Sequence, residues 1–339
     1  MFLQLIRSAV FLRAGFRRAK VKIFGKLLYR RVLINAKHCY ENCDDDLPSE
    51  IEILSPFYGV KYSSMFVDTC LPSILQSGID KICLKVPTYI SIHCPKSDWE
   101  EIENKVQDCV RNLPLHISWF PIESPVGCSK KMLTSFVRSR VQASLNRDRT
   151  IIFGFPDLIF GRGLDRVIAN TKHGEYVVCC QIRTSMESGT NLFKSVIKQN
   201  LYKNCDLVKY GLIDFPHPLV RLAFEERHDY LHFKKHDDIY LGYFKEPPPL
   251  LMRGSETIFE SGFERPFFGK NSLLQCLDHD IPNLMLRHGM LRAIGDSKYF
   301  CWLEQTSESE YQTMIVNKFN LESALYLKNL GVKFTFAGV

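Results

Sequence analysis

The sequence predicts an α/β protein with a mostly parallel sheet, helices on both faces of that sheet, and a mixed α+β carboxyl-terminal part. Two observations predict this class. Between residues 50 and 186, short apolar runs alternate with segments of helical periodicity, the order in which parallel strands are joined by crossover helices. The last of these runs, YVVCCQI at Tyr176–Ile182, is nearly all apolar, which is typical of a strand buried on both faces.

Strands and helices alternate through the first half of the predicted fold. Apolar or alternating runs predict strands, in the order Ile51–Pro56, Tyr89–Cys94, Leu115–Ile122, Thr150–Phe155 and Tyr176–Ile182. Apolar residues at helical spacing predict the helices Tyr62–Gln76, Asp98–Val110, Ser129–Asn146 and Leu164–Lys172. Ser97 followed by Glu100 indicates a capping box at the second helix, and Gly174 is a candidate C-cap for the last.

The regular alternation ends after residue 186. Leu192–Tyr202 and Asp206–Leu212 are predicted helices, and Pro247–Pro249 indicates a rigid break. Short elements are expected at Leu277–Leu286, Leu291–Ile294 and Tyr299–Gln305. Three regions follow along the chain: a basic segment over residues 1–40, the α/β half over 50–186, and a mixed part of the same domain over 187–339.

Composition excludes several classes of protein. The chain has 339 residues, of which 45% are hydrophobic and 24% charged, so extensive disorder and collagen-like structure are excluded. The net charge of +7 comes from residues 1–40, which hold ten Lys or Arg and no Asp or Glu. The rest of the chain is nearly neutral, which argues against a nucleic-acid partner.

The basic segment has three interpretations. Apolar residues mixed with cationic ones suit a helix that lies on an anionic membrane surface. Packing against the body and a targeting role are the alternatives. The sequence has no uninterrupted apolar run of transmembrane length. Its twelve cysteines form no CxxC pair, which suits a reducing compartment, so we expect a cytoplasmic protein at the inner face of the membrane.

The sequence has no Walker phosphate loop, GxGxxG fingerprint, HExxH or GxSxG motif. In open parallel sheets, ligands bind at the carboxyl ends of the strands. The strongest candidate there is Asp157, in IIFGFPDLIFGRGLD, because an acid between apolar residues must be exposed or paired. A divalent cation bridging a diphosphate is one partner for it. A turn, or a pair with Arg162, is the alternative.

Other candidates follow the same logic. Arg183 and Lys130 each follow a predicted strand, where a cation could reach a diphosphate, although Lys130 also suits a solvated first helical turn. Asp278 and Asp280 are two residues apart, so on a strand they would share a face and could bind an ion or a sugar diol. A turn before Pro282 is the alternative.

Several stretches resemble a known group of proteins. ILSPFYGVKYSSMFVDTCLPSIL, IIFGFPDLIFGRGLDRVI, HPLVRLAF, CLDHDIPNLML and AIGDSKYFCWLEQ together resemble bacterial glycosyltransferase-like proteins with a GT-A-type nucleotide-sugar-binding fold. The resemblance covers roughly residues 50–305 with gaps. It implies that a sugar is transferred from a nucleotide-diphosphate donor to a glycan or a lipid-linked acceptor.

The resemblance also implies a set of site residues. Donor-binding positions would be Ser55, Pro56, Tyr58, Lys130, Asp157 and Arg183. Mn or Mg would bind at Asp157 and His217, and Asp278 or Asp280 would act on the acceptor hydroxyl. This sequence departs from the pattern in one respect, because the usual Asp-x-Asp pair is Phe155-Pro156-Asp157 here. A GT-A-like protein that binds a nucleotide or glycan without turnover is therefore the alternative.

Overall fold

The computed structural model describes residues 47–122, 149–218, 220, 231–236, 239–244, 249–254, 285, 289–309 and 332–337. Three predicted features lie outside the described residues. They are the basic segment over residues 1–40, the helix Ser129–Asn146, and all of the element Leu277–Leu286 except Met285.

Nine strands form one sheet in the described part of the chain. They are β1 (Glu50–Pro56), β2 (Thr88–Cys94), β3 (Leu115–Pro121), β4 (Arg149–Phe153), β5 (Leu158–Phe160), β6 (Tyr176–Ser185), β9 (Pro249–Arg253), β10 (Leu291–Ile294) and β11 (Cys301–Thr306). The order across the sheet is β3-β2-β1-β4-β9-β6-β11-β5, and β10 also pairs with β6. The other strands, β7 (Leu231–His236), β8 (Ile239–Phe244) and β12 (Val332–Ala337), form a separate antiparallel sheet.

The direction of the strands confirms the predicted mostly parallel sheet. β1 is parallel to β2 and β4, β2 to β3, and β6 to both β10 and β11. β9 is antiparallel to its neighbours β4 and β6, so those two strands run in the same direction, and β5 is antiparallel to β11. Most of the carboxyl ends therefore meet at one edge of the sheet.

Of the predicted break at Pro247–Pro249, the described residues include Pro249, which belongs to a strand. Pro249 begins β9, which lies in the middle of the sheet between β4 and β6. A proline has no N–H to donate, and the first residue of a strand is a position where that loss is tolerated. Strands on both sides of residue 186 thus belong to one sheet, since β9, β10 and β11 pair within it.

Helices connect these strands. The connection from β1 to β2 consists of three short helices and two π turns. In chain order they are α1 (Val60–Met65), a π turn at Phe66–Cys70, α2 (Leu71–Ile74), a π turn at Leu75–Ile79 and α3 (Asp80–Ile82). The later helices are α4 (Lys96–Val110), α5 (Leu164–Ala169), α6 (Met186–Lys198) and α7 (Asn204–Lys209), which runs into a π turn at Tyr210–Asp214. In the described residues, no helix combines the length and the apolar character needed to cross a bilayer.

The helix ends differ from the predicted ones. The capping box at Ser97 is wrong, because α4 begins at Lys96 with Pro95 as N-cap and without a side-chain cap. Gly174 is not the C-cap of α5, which ends at Ala169 with Asn170 in that position. α6 starts six residues before the predicted Leu192, and the Oγ of its N-cap Ser185 accepts a hydrogen bond from the N–H of Ser188 (3.3 Å).

A buried charge network joins β1, β2 and β4. Arg149 lies directly opposite Glu50, and its guanidinium bonds both Glu50 and Glu52, with Nη1 2.8 Å from Glu52 Oε2. Glu52 is fully buried, and its other oxygen accepts from Ser91 Oγ at 2.6 Å. Its charge is therefore satisfied by one neighbour on each flanking strand, as a buried charge requires.

We expect Arg149→Ala to lower the free energy of unfolding by about 3–5 kcal/mol, because it removes the cation that pairs with the buried Glu52. Urea denaturation measures this change. Arg111→Ala is the matched control, since Arg111 pairs with Asp108 on the surface, with 73% of its side chain exposed. Such a pair contributes about 1 kcal/mol or less. Equal losses in the two variants would contradict the structural role given to the network.

Candidate functional site

The candidate site lies where the strand order reverses. From β1 the chain builds outward to β2 and β3 on one side, and β4 then pairs with the other side of β1. The carboxyl ends of β1 and β4 are therefore neighbours at a topological switch point. Open sheets of this kind bind ligands at such a point, so the turns that follow β1 and β4 are the segments to consider.

The predicted residues Ser55 and Pro56 end β1, and Tyr58 lies in the turn that follows it. Ser55 is fully buried, and a Cβ on Gly154 would come within 2.8 Å of its Oγ. Gly154 thus allows the chain after β4 to pass close to β1, and its N–H donates to Leu54 at 2.9 Å. Pro56 is buried at the end of the strand, and Tyr58 is half-buried. Of these side chains, Tyr58 is the one that a ligand at the edge can reach.

Gly59 and Asp98 hold this turn in place. Gly59 has a φ of +87°, a conformation that side-chain-bearing residues rarely adopt, and its N–H donates to the carboxylate of Asp98. Asp98 lies buried in the first turn of α4, after β2. The turn after β1 is therefore fixed by the helix that follows the next strand. From the sequence, Asp98 was predicted only as the start of a helix. Its contact with Gly59 was not predicted, because the two residues are 39 positions apart.

Asp157 lies in the short connection from β4 to β5. It is half-buried, at the corner of a turn closed by Leu158 N–H and Phe155 C=O (3.1 Å). Its own carbonyl accepts from Gln305 N–H at 2.8 Å, which places it beside β11. Burial raises the pKa of the Cys70 thiol well above its usual value, and the Asp157 charge raises it further. The carboxylate of Asp157 is therefore close to the π turn Phe66–Cys70.

Arg162, the alternative partner for Asp157, holds other parts of the chain together. Its guanidinium donates to Gln76 C=O (2.5 Å), to Tyr202 C=O and to Asn200. The guanidinium also lies over the ring of Tyr202, at 4.3 Å from the centroid. These contacts account for the Gly-flanked arginine of the sequence as a structural residue.

Arg183 is placed at the same edge, near the end of β6. Its Nε lies 3.0 Å from Oε2 of Glu304, the residue opposite it on β11, and Glu304 Oε1 accepts from Thr306. A carboxylate thus already offsets the charge that we expected to face a diphosphate. Glu304 was not found by sequence reasoning, because its pairing with Arg183 depends on a contact across 121 residues.

His217 lies beside this ion pair. The ring is fully buried, with Nε2 3.2 Å from the C=O of Ser307, and its backbone N–H points to Arg183 C=O at 3.4 Å. Burial lowers the pKa of His217 below its usual value, and the charge of Arg183 lowers it further. The contact with Ser307 raises the pKa, as do the charges of Glu304 and Glu308, but the net shift is downward. The neutral ring is therefore favoured at pH 7.

A hydroxyl and carboxylate cluster follows at the ends of β6 and β11. Ser307 donates to Glu187 at 2.5 Å, and Ser185 donates to Glu308 at 2.6 Å. Burial alone would raise the pKa of Glu187, but hydrogen bonds from Ser307, from backbone N–H groups and from Ser185 lower it below its usual value. These residues join the start of α6 to the end of β11. Their spacing in the sequence carried no signal of this contact.

The remaining predicted site residues are placed as follows. Lys130, Asp278 and Asp280 lie outside the described residues. A further acid that follows a strand, Asp296 after β10, forms a turn, since its Oδ1 accepts from Lys298 N–H at 2.9 Å. Within the described ranges, no group of three or more His, Cys, Asp or Glu side chains is arranged to hold a metal ion. A metal at Asp157 and His217 therefore stays a prediction.

The comparisons with known proteins show similarity to solved structures. No family model matches the chain, and no curated relative matches it. One similar solved structure is that of mouse xyloside xylosyltransferase 1 in its apo form, with 9% sequence identity and a TM-score of 0.27. The alignment covers 45% of this chain and 59% of the xylosyltransferase chain. This chain therefore spans less than two thirds of the length of the xylosyltransferase. The described part of the chain is an α/β fold with a mostly parallel sheet.

His217 is expected to make the stability of the protein depend on pH. Its pKa is lowered on folding from about 6.5, so the unfolded chain takes up a proton near pH 6.5 that the folded chain does not. The free energy of unfolding should therefore fall as the pH drops below 6.5, by at most about 1.4 kcal/mol from this group at pH 5.5.

Urea denaturation between pH 7.5 and 5.5 measures the effect. His217→Gln should unfold more easily at every pH and show a shallower loss towards pH 5.5 than the wild type. His116→Gln is the matched control, because it removes an imidazole from an exposed position on β3. A wild-type slope in His217→Gln would contradict the buried neutral ring.

Proposed function

We propose that this protein is a glycosyltransferase that moves a sugar from a nucleotide-diphosphate donor to a glycan or lipid-linked acceptor. One observation carries the proposal. The turn that contains Tyr58 and the connection that contains Asp157 follow β1 and β4, the two neighbouring strands between which the sheet reverses its order. A half-buried aromatic ring after β1 and a half-buried acid, which lies beside β11, are thus placed at the edge where open sheets bind nucleotides.

The proposed donor lies across the carboxyl ends of β1 and β4. Tyr58 offers an apolar ring to the base or the sugar, and Asp98 keeps the turn around Gly59 in one conformation. In the reaction, an acceptor hydroxyl attacks the anomeric carbon, the bond to the diphosphate breaks, and the diphosphate leaves with the bonding electrons. A base takes the hydroxyl proton, and Asp278 and Asp280 remain the proposed candidates for it.

The two proposed metal ligands differ in how well they fit Mn or Mg. These ions are commonly held by one or two carboxylates together with substrate phosphates, so Asp157 suits an ion that is bound with the diphosphate. His217 does not fit, because its ring is fully buried and its Nε2 already contacts Ser307 C=O. Arg183 is a weaker phosphate partner than we expected, since Glu304 already pairs with it.

A protein that binds a nucleotide or a glycan without turnover is the second candidate. It is favoured by the single acid of Phe155-Pro156-Asp157, where the resemblance implies two. Release of nucleoside diphosphate from a panel of nucleotide sugars separates the two functions. Turnover that needs an acceptor glycan supports the transferase, whereas tight binding with no release supports the binding protein.

A membrane partner is part of the proposal through residues 1–40. Their ten cationic side chains would be attracted to anionic lipid, each by about 1 kcal/mol close to the surface. An acceptor carried on a lipid would then be presented to the same surface. This segment lies outside the described residues, so the attachment stays a prediction from the sequence.

Asp157→Asn is expected to weaken binding of the donor about tenfold or more in the presence of Mn²⁺, because the ion loses its protein carboxylate. Titration calorimetry with uridine, guanosine, adenosine and thymidine diphosphates measures the affinity. With EDTA instead of Mn²⁺, the difference should vanish or reverse, since a bare carboxylate repels a diphosphate.

Asp108→Asn is the matched control for this change. Asp108 is an exposed residue on α4 that pairs with Arg111, so its loss should leave nucleotide affinity unchanged. If Asp157→Asn binds every nucleotide as the wild type does in Mn²⁺, Asp157 does not face a diphosphate, and the proposed site is wrong.

A further inference from the structure

Two arginines are buried at the opposite edge of the sheet, at the amino end of β6. Arg253 is the last residue of β9, and Arg292 pairs with Val177 as the second residue of β10. β9 and β10 both pair with the start of β6. Arg253 is fully buried, and Arg292 is 3% exposed. Arginine is almost never so deeply buried unless it is paired, so both side chains need partners.

Both guanidinium groups reach the chain that follows α5. Nη1 of Arg253 donates to Thr171 C=O at 2.8 Å, and Nη1 of Arg292 donates to Asn170 C=O. These carbonyls belong to consecutive residues, so both guanidinium groups bond the same short stretch of chain. Cations at the carboxyl end of a helix are favourable, because the last carbonyls carry partial negative charge.

The ion pair of Arg292 uses only one side of its guanidinium group. Nη1 lies 3.3 Å from Glu175 Oε2, and that same oxygen accepts from Lys172 N–H at 2.9 Å. Glu175 is thus a shared and partly exposed partner of the buried cation. The contacts with Asn170 and Glu175 both involve Nη1, so neither reaches the other two nitrogens of Arg292.

Nε and Nη2 of Arg292 are buried and have no hydrogen-bond partner among the described residues. Buried donors of a charged group are costly to leave unmatched, and an unmatched one calls for an ion or a water as its partner. Nε and Nη2 lie on one edge of the guanidinium plane, where their two N–H groups form a fork. Two oxygens of a carboxylate or phosphate match such a fork.

We propose that the Nε–Nη2 edge of Arg292 binds a small oxyanion, with Arg253 adding positive potential beside it. The chemical class is a compact anion with two oxygens on one centre, such as inorganic phosphate or acetate. The site stands apart from the proposed donor site, which lies at the other ends of the strands. Its role is to neutralise a buried cation and to fasten β10 and the chain after α5 around the start of β6.

Anion content and thermal stability of the full chain test this proposal. Purified protein is acid-denatured, and the released anions are measured by ion chromatography; about one oxyanion per chain is expected, as one fork holds one anion. The thermal midpoint is then measured in phosphate, acetate and chloride at equal ionic strength. Phosphate or acetate should raise it by about 2–4 °C or more relative to chloride, and the more effective anion identifies the preferred geometry.

Variants separate a specific site from a general salt effect. Arg292→Lys keeps the charge but loses the fork, so its affinity for the oxyanion should fall about tenfold, and both its oxyanion content and its midpoint shift should be smaller than those of the wild type. Glu175→Gln removes the competing carboxylate and should strengthen the anion effect. Arg111→Lys is the matched control for Arg292→Lys, because it makes the same substitution at an exposed position. Its oxyanion content and its midpoint shift should equal those of the wild type.

Two results would overturn the proposal. In the first, the wild type releases no oxyanion, and its thermal midpoint is the same in phosphate, acetate and chloride. Water would then be the partner of Nε and Nη2. In the second, phosphate or acetate raises the thermal midpoint by the same amount in the wild type, in Glu175→Gln and in Arg292→Lys. If Arg292→Lys fails to fold, the anion content of the wild type and the response of Glu175→Gln still decide the matter.

Discussion

The charge network of Arg149 with Glu50 and Glu52 aligns β1 with β4, and the candidate site depends on that alignment. Glu50 and Arg149 are directly opposite in the two strands, and Ser91 ties Glu52 to β2. A shift of one residue between paired strands would turn every side chain to the other face. We infer that this buried network specifies the register, and with it the meeting of the turns after β1 and β4. Those turns contain Tyr58 and Asp157.

The local part of the fold could be predicted from the sequence, and the long-range part could not. The runs at β1, β2, β3, β4 and β6 are apolar and bounded by turns, so strands were predicted within a few residues of where they lie. β9 was missed because it has five residues and follows prolines, while its place between β4 and β6 depends on partners about 70–100 residues away. Asp157 was predicted at a strand end, but its bond to Gln305 crosses 148 residues.

The edge of the sheet contains two groups of polar residues that meet through β11. Gln305 bonds the backbone of Asp157, and its side chain donates to Thr69 at 3.0 Å. Its neighbour Glu304 pairs instead with Arg183, beside the buried His217. The first group includes the half-buried carboxylate of Asp157, whereas in the second an ion pair joins Glu304 to Arg183. The functional proposal rests on the position of Tyr58 and Asp157 after β1 and β4, whereas the contacts of Arg183 and His217 join β6 to β11 and the residue that follows it.

A crystal structure of the full chain with a nucleoside diphosphate and Mn²⁺ tests the central claim most directly. We expect the nucleotide across the carboxyl ends of β1 and β4, with its diphosphate oxygens and the ion within coordination distance of Asp157 and its base or ribose against Tyr58. A nucleotide bound elsewhere on the molecule, with Asp157 turned away from it, would contradict the assignment of this edge as the donor site.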